Sequence, residues 1–91
     1  MERKIEAVFG QVVRRYREKL GVSQEAFADL AEIHRTYVSS IERGKVQVSI
    51  GIAHRVALTL GVPLSRIWAD VERELNAGEK SARKKPRSGQ A

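Results

Sequence analysis

Apolar positions along this chain recur at intervals of three and four residues, and no stretch shows the strict alternation of a strand. Phe9, Val12, Val13, Tyr16 and Leu20 fall on one side of a helix over about residues 5–20. Ser23, a good N-cap, opens a second helix with Glu25 in its first turn and Phe27, Ala28 and Ala31 facing inward. A third runs through HRTYVSSIERG, residues 34–44, where only Tyr37, Val38 and Ile41 are apolar. Ser49 caps a fourth, which buries Ile52, Val56, Ala57 and Leu60. The fifth starts near Pro63, suited to a first helical turn, and runs through LSRIWADVEREL to Gly78. Gly21, Gly44, Gly61 and Gly78 each follow an apolar-periodic segment, where left-handed residues end helices. The pattern predicts an all-α fold, a compact five-helix bundle over residues 1–78. Residues 79–91, EKSARKKPRSGQA, hold no large apolar side chain and are expected to form a disordered basic tail.

The turns sharpen this. Only Glu32 to His34 separate the second and third segments. Two short helices joined so tightly cannot lie comfortably antiparallel; they cross at a large angle, as in a helix-turn-helix.

On a helical wheel with Arg35 at zero, Ser39, Arg43, Thr36 and Ser40 fall between about 40° and 140°. Val38, Ile41 and Tyr37 fall between about 200° and 300°, with Glu42 between the two faces near 340°. The outward face is therefore arginine and hydroxyls, with no acid. Arginine can donate two hydrogen bonds to guanine O6 and N7, and threonine offers a hydroxyl and a methyl to a base edge. Serine is short enough to let the helix approach the base pairs, and it can donate to phosphate.

Composition agrees, with one restriction. The 91 residues make one small domain whose core is marginal, so pairing with a second copy helps it. The net charge is +6, which suits an anionic partner. Five of the 17 basic residues (Lys80, Arg83, Lys84, Lys85 and Arg87) lie in the tail, so the body must gather its positive charge on one face. There is no cysteine, no run long enough to span a membrane and no signal-peptide pattern at the start, so a cytoplasmic location is expected. His34 and His54 are isolated, which argues against a metal site. No nucleophile–base pair, phosphate loop or cofactor motif points to an enzyme.

In the fifth segment Leu64, Ile67, Trp68, Val71 and Leu75 occupy an arc of only about 100°. Part of that stripe closes the chain's own core. The remainder is read as a two-fold dimer interface.

The stretch SQEAFADLAEIHRTYVSSIERGK resembles the helix-turn-helix of the Cro and phage-repressor class, the XRE-type regulators with a lambda-repressor-like DNA-binding domain. The phrase HRTYVSSIERG is most similar to restriction–modification controller proteins. The resemblance covers roughly residues 9–70 and implies a dimeric, sequence-specific regulator of transcription that binds double-stranded DNA at an inverted repeat. It implies that Arg35, Thr36 and Ser39 face base edges. Gln24 would hold a phosphate, and Tyr37, Ser40, Arg43 and Lys45 would contact or approach the backbone. It also implies a structural ion pair between Arg17 and Glu42. In activating members a surface comparable to Glu25, Asp29 and Glu32 touches RNA polymerase; on these residues alone it is equally a solvated, dipole-friendly face. His34 stands where the class often has Ser, Thr or Asp, and Val46 and Val48 stand where it often has basic residues. A second reading is an antitoxin that neutralises a protein partner and represses its own operon.

Overall fold

The computed structural model describes residues 4–78, which form five helices and, among the described residues, no strand. They are α1 (Ile5–Leu20), α2 (Gln24–Ala31), α3 (Arg35–Glu42), α4 (Ile50–Leu60) and α5 (Leu64–Gly78). The basic tail expected at 79–91 lies outside the described residues.

Local chemistry explains the boundaries. Ser23 Oγ accepts from the Ala26 N–H at 3.0 Å and Ser49 Oγ from the Ile52 N–H at 3.1 Å, each satisfying an orphan donor of a first turn. α1 and α4 end on left-handed Gly21 and Gly61. α2 ends differently, on Glu32 at φ 59°, whose N–H returns to the Ala28 and Asp29 carbonyls. No glycine marks that turn. A non-glycine residue in this region is uncommon, and here it turns the chain directly into α3.

Every helix contributes to one core. Val8, Phe9, Val12 and Val13 come from α1, Phe27, Ala28 and Ala31 from α2, and Val38 and Ile41 from α3. Ala53, Val56, Ala57 and Leu60 come from α4, and Ile67 and Val71 from α5. Leu20, though on the predicted face of α1, is 48% exposed at the helix's last position.

The α5 stripe needs correcting. Ile67 and Val71 are fully buried against the chain's own core, so they have no surface left for a second copy. Leu64 and Leu75 are half-buried against the same core. Trp68 alone of the five remains substantially exposed, at 39%, with its ring 5.1 Å from that of Phe9 on α1.

Two sets of contacts hold α1. At its far side, the Tyr16 hydroxyl donates to the Asp70 carboxylate of α5, and Arg15 reaches Glu74 at 2.7 Å. The Tyr16 hydrogen bond, aided by Arg73, holds the Asp70 carboxyl below the usual aspartate range and raises the Tyr16 phenol. Toward α3, backbone meets backbone: a Cβ at Gly10 would sit 2.2 Å from the Ile41 carbonyl oxygen. Gly44, left-handed at φ 70°, packs as closely on Ala7, where a Cβ would fall 2.7 Å from its Cα. Only glycine permits this approach of α3 to α1.

Candidate nucleic-acid interface

α3 is amphipathic. Its inner side enters the core through Val38 and Ile41. Its outer side exposes Arg35, Thr36 and Arg43 to solvent, with Ser39 and Ser40 half-buried between them. Lys45 is exposed just beyond the helix, and Tyr37 is half-buried at its edge against the core. Arg35, Arg43 and Lys45 pair with no acid among the described residues.

The acid of α3 has been removed from that face. Glu42 is buried, and its carboxylate accepts from Arg17 Nε at 2.7 Å, from Arg17 Nη2 at 3.1 Å and from Gln24 Nε2 at 3.0 Å. Arg17 Nη1 donates onward to the Val22 carbonyl at 2.7 Å. The hydrogen bonds to Glu42 outweigh burial and keep the guanidinium firmly charged, above its ordinary value. One carboxylate thus ties α1, the start of α2 and the end of α3 together.

Gln24 is more constrained than its expected phosphate-holding role suggests. One amide N–H is committed to Glu42, which fixes the amide plane; the side chain is only half-buried, so its other side still reaches solvent. The sequence contains no local signal for this link, because eighteen residues separate the partners.

The leading end of α3 is unusual. His34 is the N-cap residue but makes no side-chain cap hydrogen bond. Its Nδ1 lies 3.1 Å from Thr36 Oγ1 instead. Of the first-turn N–H groups of α3, that of Tyr37 donates to the His34 carbonyl at 3.0 Å, and the His34 side chain caps none of them. On α2, Glu25 and Asp29 are exposed, and Glu32 is exposed in the turn that follows.

Elsewhere, Ile5, Glu6, Phe9, Gln47, Val48 and Trp68 line a shallow cavity of about 260 Å³. Ile5 is 49% exposed, and Ile50, two residues beyond Val48, is 84% exposed. Among the described residues no cluster of His, Cys, Asp and Glu is suited to holding a metal ion. No helix among the described residues is long and apolar enough to cross a membrane.

A helix-turn-helix family model matches residues 13–67. The control protein C.MunI of a Mycoplasma species is 42% identical over 67 residues, covering 72% of this chain and 90% of that protein. The crystal structure of the restriction–modification controller protein C.AhdI from Aeromonas hydrophila superposes with a TM-score of 0.66 at 34% identity, covering 67% of this chain and 92% of that one. The controller protein C.Esp1396I, solved as a tetramer on its natural 35-base-pair operator, shares the fold, with a TM-score of 0.74 at 24% identity over 81% of this chain and 97% of that one.

Proposed function

The chain belongs to the helix-turn-helix family of DNA-binding transcription regulators, with restriction–modification controllers among its relatives, and from that premise we propose how it works. It acts as a dimer on an inverted-repeat operator, in the manner of a controller protein. The observation that carries this is the acid-free outer face of α3, bearing Arg35, Thr36, Ser39 and Ser40, with Glu42 withdrawn into the core. A long acidic side chain there would repel the phosphate backbone and hold the helix off the bases.

In this reading Arg35 reaches a guanine edge, Thr36 and Ser39 contact neighbouring bases, and Ser40 gives clearance for close approach. Arg43 and Lys45, beyond the helix end, contact phosphate, as does the outward side of the Gln24 amide. Tyr37 flanks the backbone from the edge of the core.

The partner copy docks on what the core leaves exposed. Trp68, Ile5 and Val48 border one shallow cavity, and in this reading that patch replaces the longer α5 stripe as the dimer face. A two-fold pair places its recognition helices about 34 Å apart, in successive major grooves. The acidic edge of Glu25, Asp29 and Glu32 is then free to meet RNA polymerase on a bound promoter.

Selection of binding sites from random duplex DNA tests the function. An enriched inverted repeat is expected. No enrichment, or enrichment of a single asymmetric half-site, overturns the dimeric reading.

A further inference from the structure

Capping rules leave His34 unexplained. It occupies the N-cap of α3, where Ser, Thr, Asn or Asp would contribute a side-chain hydrogen bond to a first-turn N–H. The chain forgoes that contribution, and the imidazole meets the Thr36 hydroxyl instead, Nδ1 to Oγ1 at 3.1 Å. Both side chains are exposed at the leading end of the helix assigned to base contact. A local rule broken at such a place, with a specific contact in exchange, is the signature of a functional position.

We propose that His34 is a positioning residue for base recognition. Through Nδ1 it decides whether the Thr36 hydroxyl turns a lone pair or a hydrogen toward the base, and so which base Thr36 favours. This rests on the assignment of Thr36 to a base edge.

The argument is one of hydrogen-bond polarity. A hydroxyl has one hydrogen and two lone pairs. When Nδ1 is unprotonated it accepts the Thr36 hydrogen. What remains outward is acceptor only, which complements an amino donor, adenine N6 or cytosine N4. When the ring is an imidazolium, both nitrogens donate. Nδ1–H then donates to Oγ1, and the hydroxyl hydrogen turns outward to an acceptor such as guanine O6, guanine N7 or thymine O4. The heavy atoms keep their places in both states, so no backbone movement is needed.

The charged residues next to His34 along the chain, and the one packed on its turn, come from three segments. Glu32 precedes it in the left-handed turn after α2, and Arg35 follows it on α3. From α4, the Arg55 guanidinium reaches the Glu32 carbonyl at 3.3 Å. None of these is the partner of Nδ1; Thr36 is.

The experiment is a pair of site selections on the full chain, at about pH 5.5 and pH 8, which bracket the range where histidines commonly change charge. Wild type is compared with His34→Ala, His34→Gln, His54→Ala and Thr36→Val, each checked for unchanged helicity. In wild type, one base pair per half-site shifts from cytosine at high pH toward guanine or thymine at low pH, while adenine, which offers both the N6 donor and the N7 acceptor, is tolerated in both states. The shift is roughly 2- to 12-fold, the worth of one hydrogen bond. His34→Ala and His34→Gln lose the shift, His54→Ala keeps it, and Thr36→Val loses preference at that base pair at both pH values. A shift that survives both His34 variants, or a pH effect on overall affinity with no change in base preference, overturns the role of His34 and leaves the Thr36 assignment standing. Unaltered base preference in Thr36→Val removes both.

Discussion

Replacing Glu42 with alanine should nearly unfold this protein although the residue is withdrawn from the outer face of α3. The carboxylate accepts three hydrogen bonds, two from Arg17 and one from Gln24, and its side chain is 2% exposed. Its removal leaves the Arg17 guanidinium, 10% exposed, with the Val22 carbonyl as its remaining hydrogen-bond partner. Stranding one member of a buried pair costs about 3–5 kcal/mol. A domain of this size has about 4–11 kcal/mol in total. Urea unfolding followed by the fluorescence of Trp68, the single tryptophan, reads the loss at fixed protein concentration. With a slope of about 1 kcal/mol per molar, the midpoint falls by about 3–5 M. The double variant Arg17→Met with Glu42→Leu removes both charges and should return within about 1 kcal/mol of wild type, because two desolvation penalties disappear with the attraction. Glu42→Ala within about 1 kcal/mol of wild type, or a double variant no more stable than Glu42→Ala, would refute the reasoning.

Other outcomes follow from separate features. Arg35→Ala is expected to weaken operator binding by roughly 1–3 kcal/mol and relax specificity at one base pair in a gel-shift titration, whereas Lys45→Ala should lower the salt slope by about one and leave sequence preference alone. Gly10→Ala should destabilise by about 1–3 kcal/mol despite alanine's better helix propensity, since its Cβ meets the Ile41 carbonyl at 2.2 Å; thermal melting checks the sign. Tyr16→Phe removes a charge-assisted hydrogen bond to Asp70 and should cost about 1.5–3 kcal/mol at neutral pH. The Asp70 carboxyl is held below its ordinary value, so its contribution is present above about pH 4 and lost as pH falls through the folded-state value; the gap between variant and wild type, measured by urea titration across pH, must close on acidification. Trp68→Ala should shift sedimentation toward monomer, and unchanged dimer mass would move the interface elsewhere.

Helix positions were legible because their boundaries are chemical. Ser23 and Ser49 cap, Gly21 and Gly61 terminate, and each does so through its own neighbours in sequence. The end of α2 was legible from the short Glu32–His34 link, but the left-handed conformation of Glu32 was not, because no glycine signals it. The polar face of α3 is readable from a wheel, which needs only helical geometry. The division of the α5 stripe is not: periodicity says which side chains share a face, and cannot say whether the chain or a second copy covers them. Burial of Ile67 and Val71 answers that through packing by α1 and α4. Gln24 to Glu42 and His34 to Thr36 escape sequence reading for a related reason, since both depend on rotamers chosen by the assembled turn.

The placement of the α3 anchor has a mechanical consequence. Glu42, Gly10 and Gly44 all grip the trailing end of the helix, while Arg35 and Thr36 stand at the other. Seven residues of rise make a lever of about 10 Å, so a tilt of about 6° at the grip carries Arg35 about 1 Å sideways. A displacement of that size spoils a two-point hydrogen bond but scarcely alters attraction to phosphate. Slack in this fulcrum would therefore show first as blurred discrimination between sites, with bulk affinity for DNA almost intact.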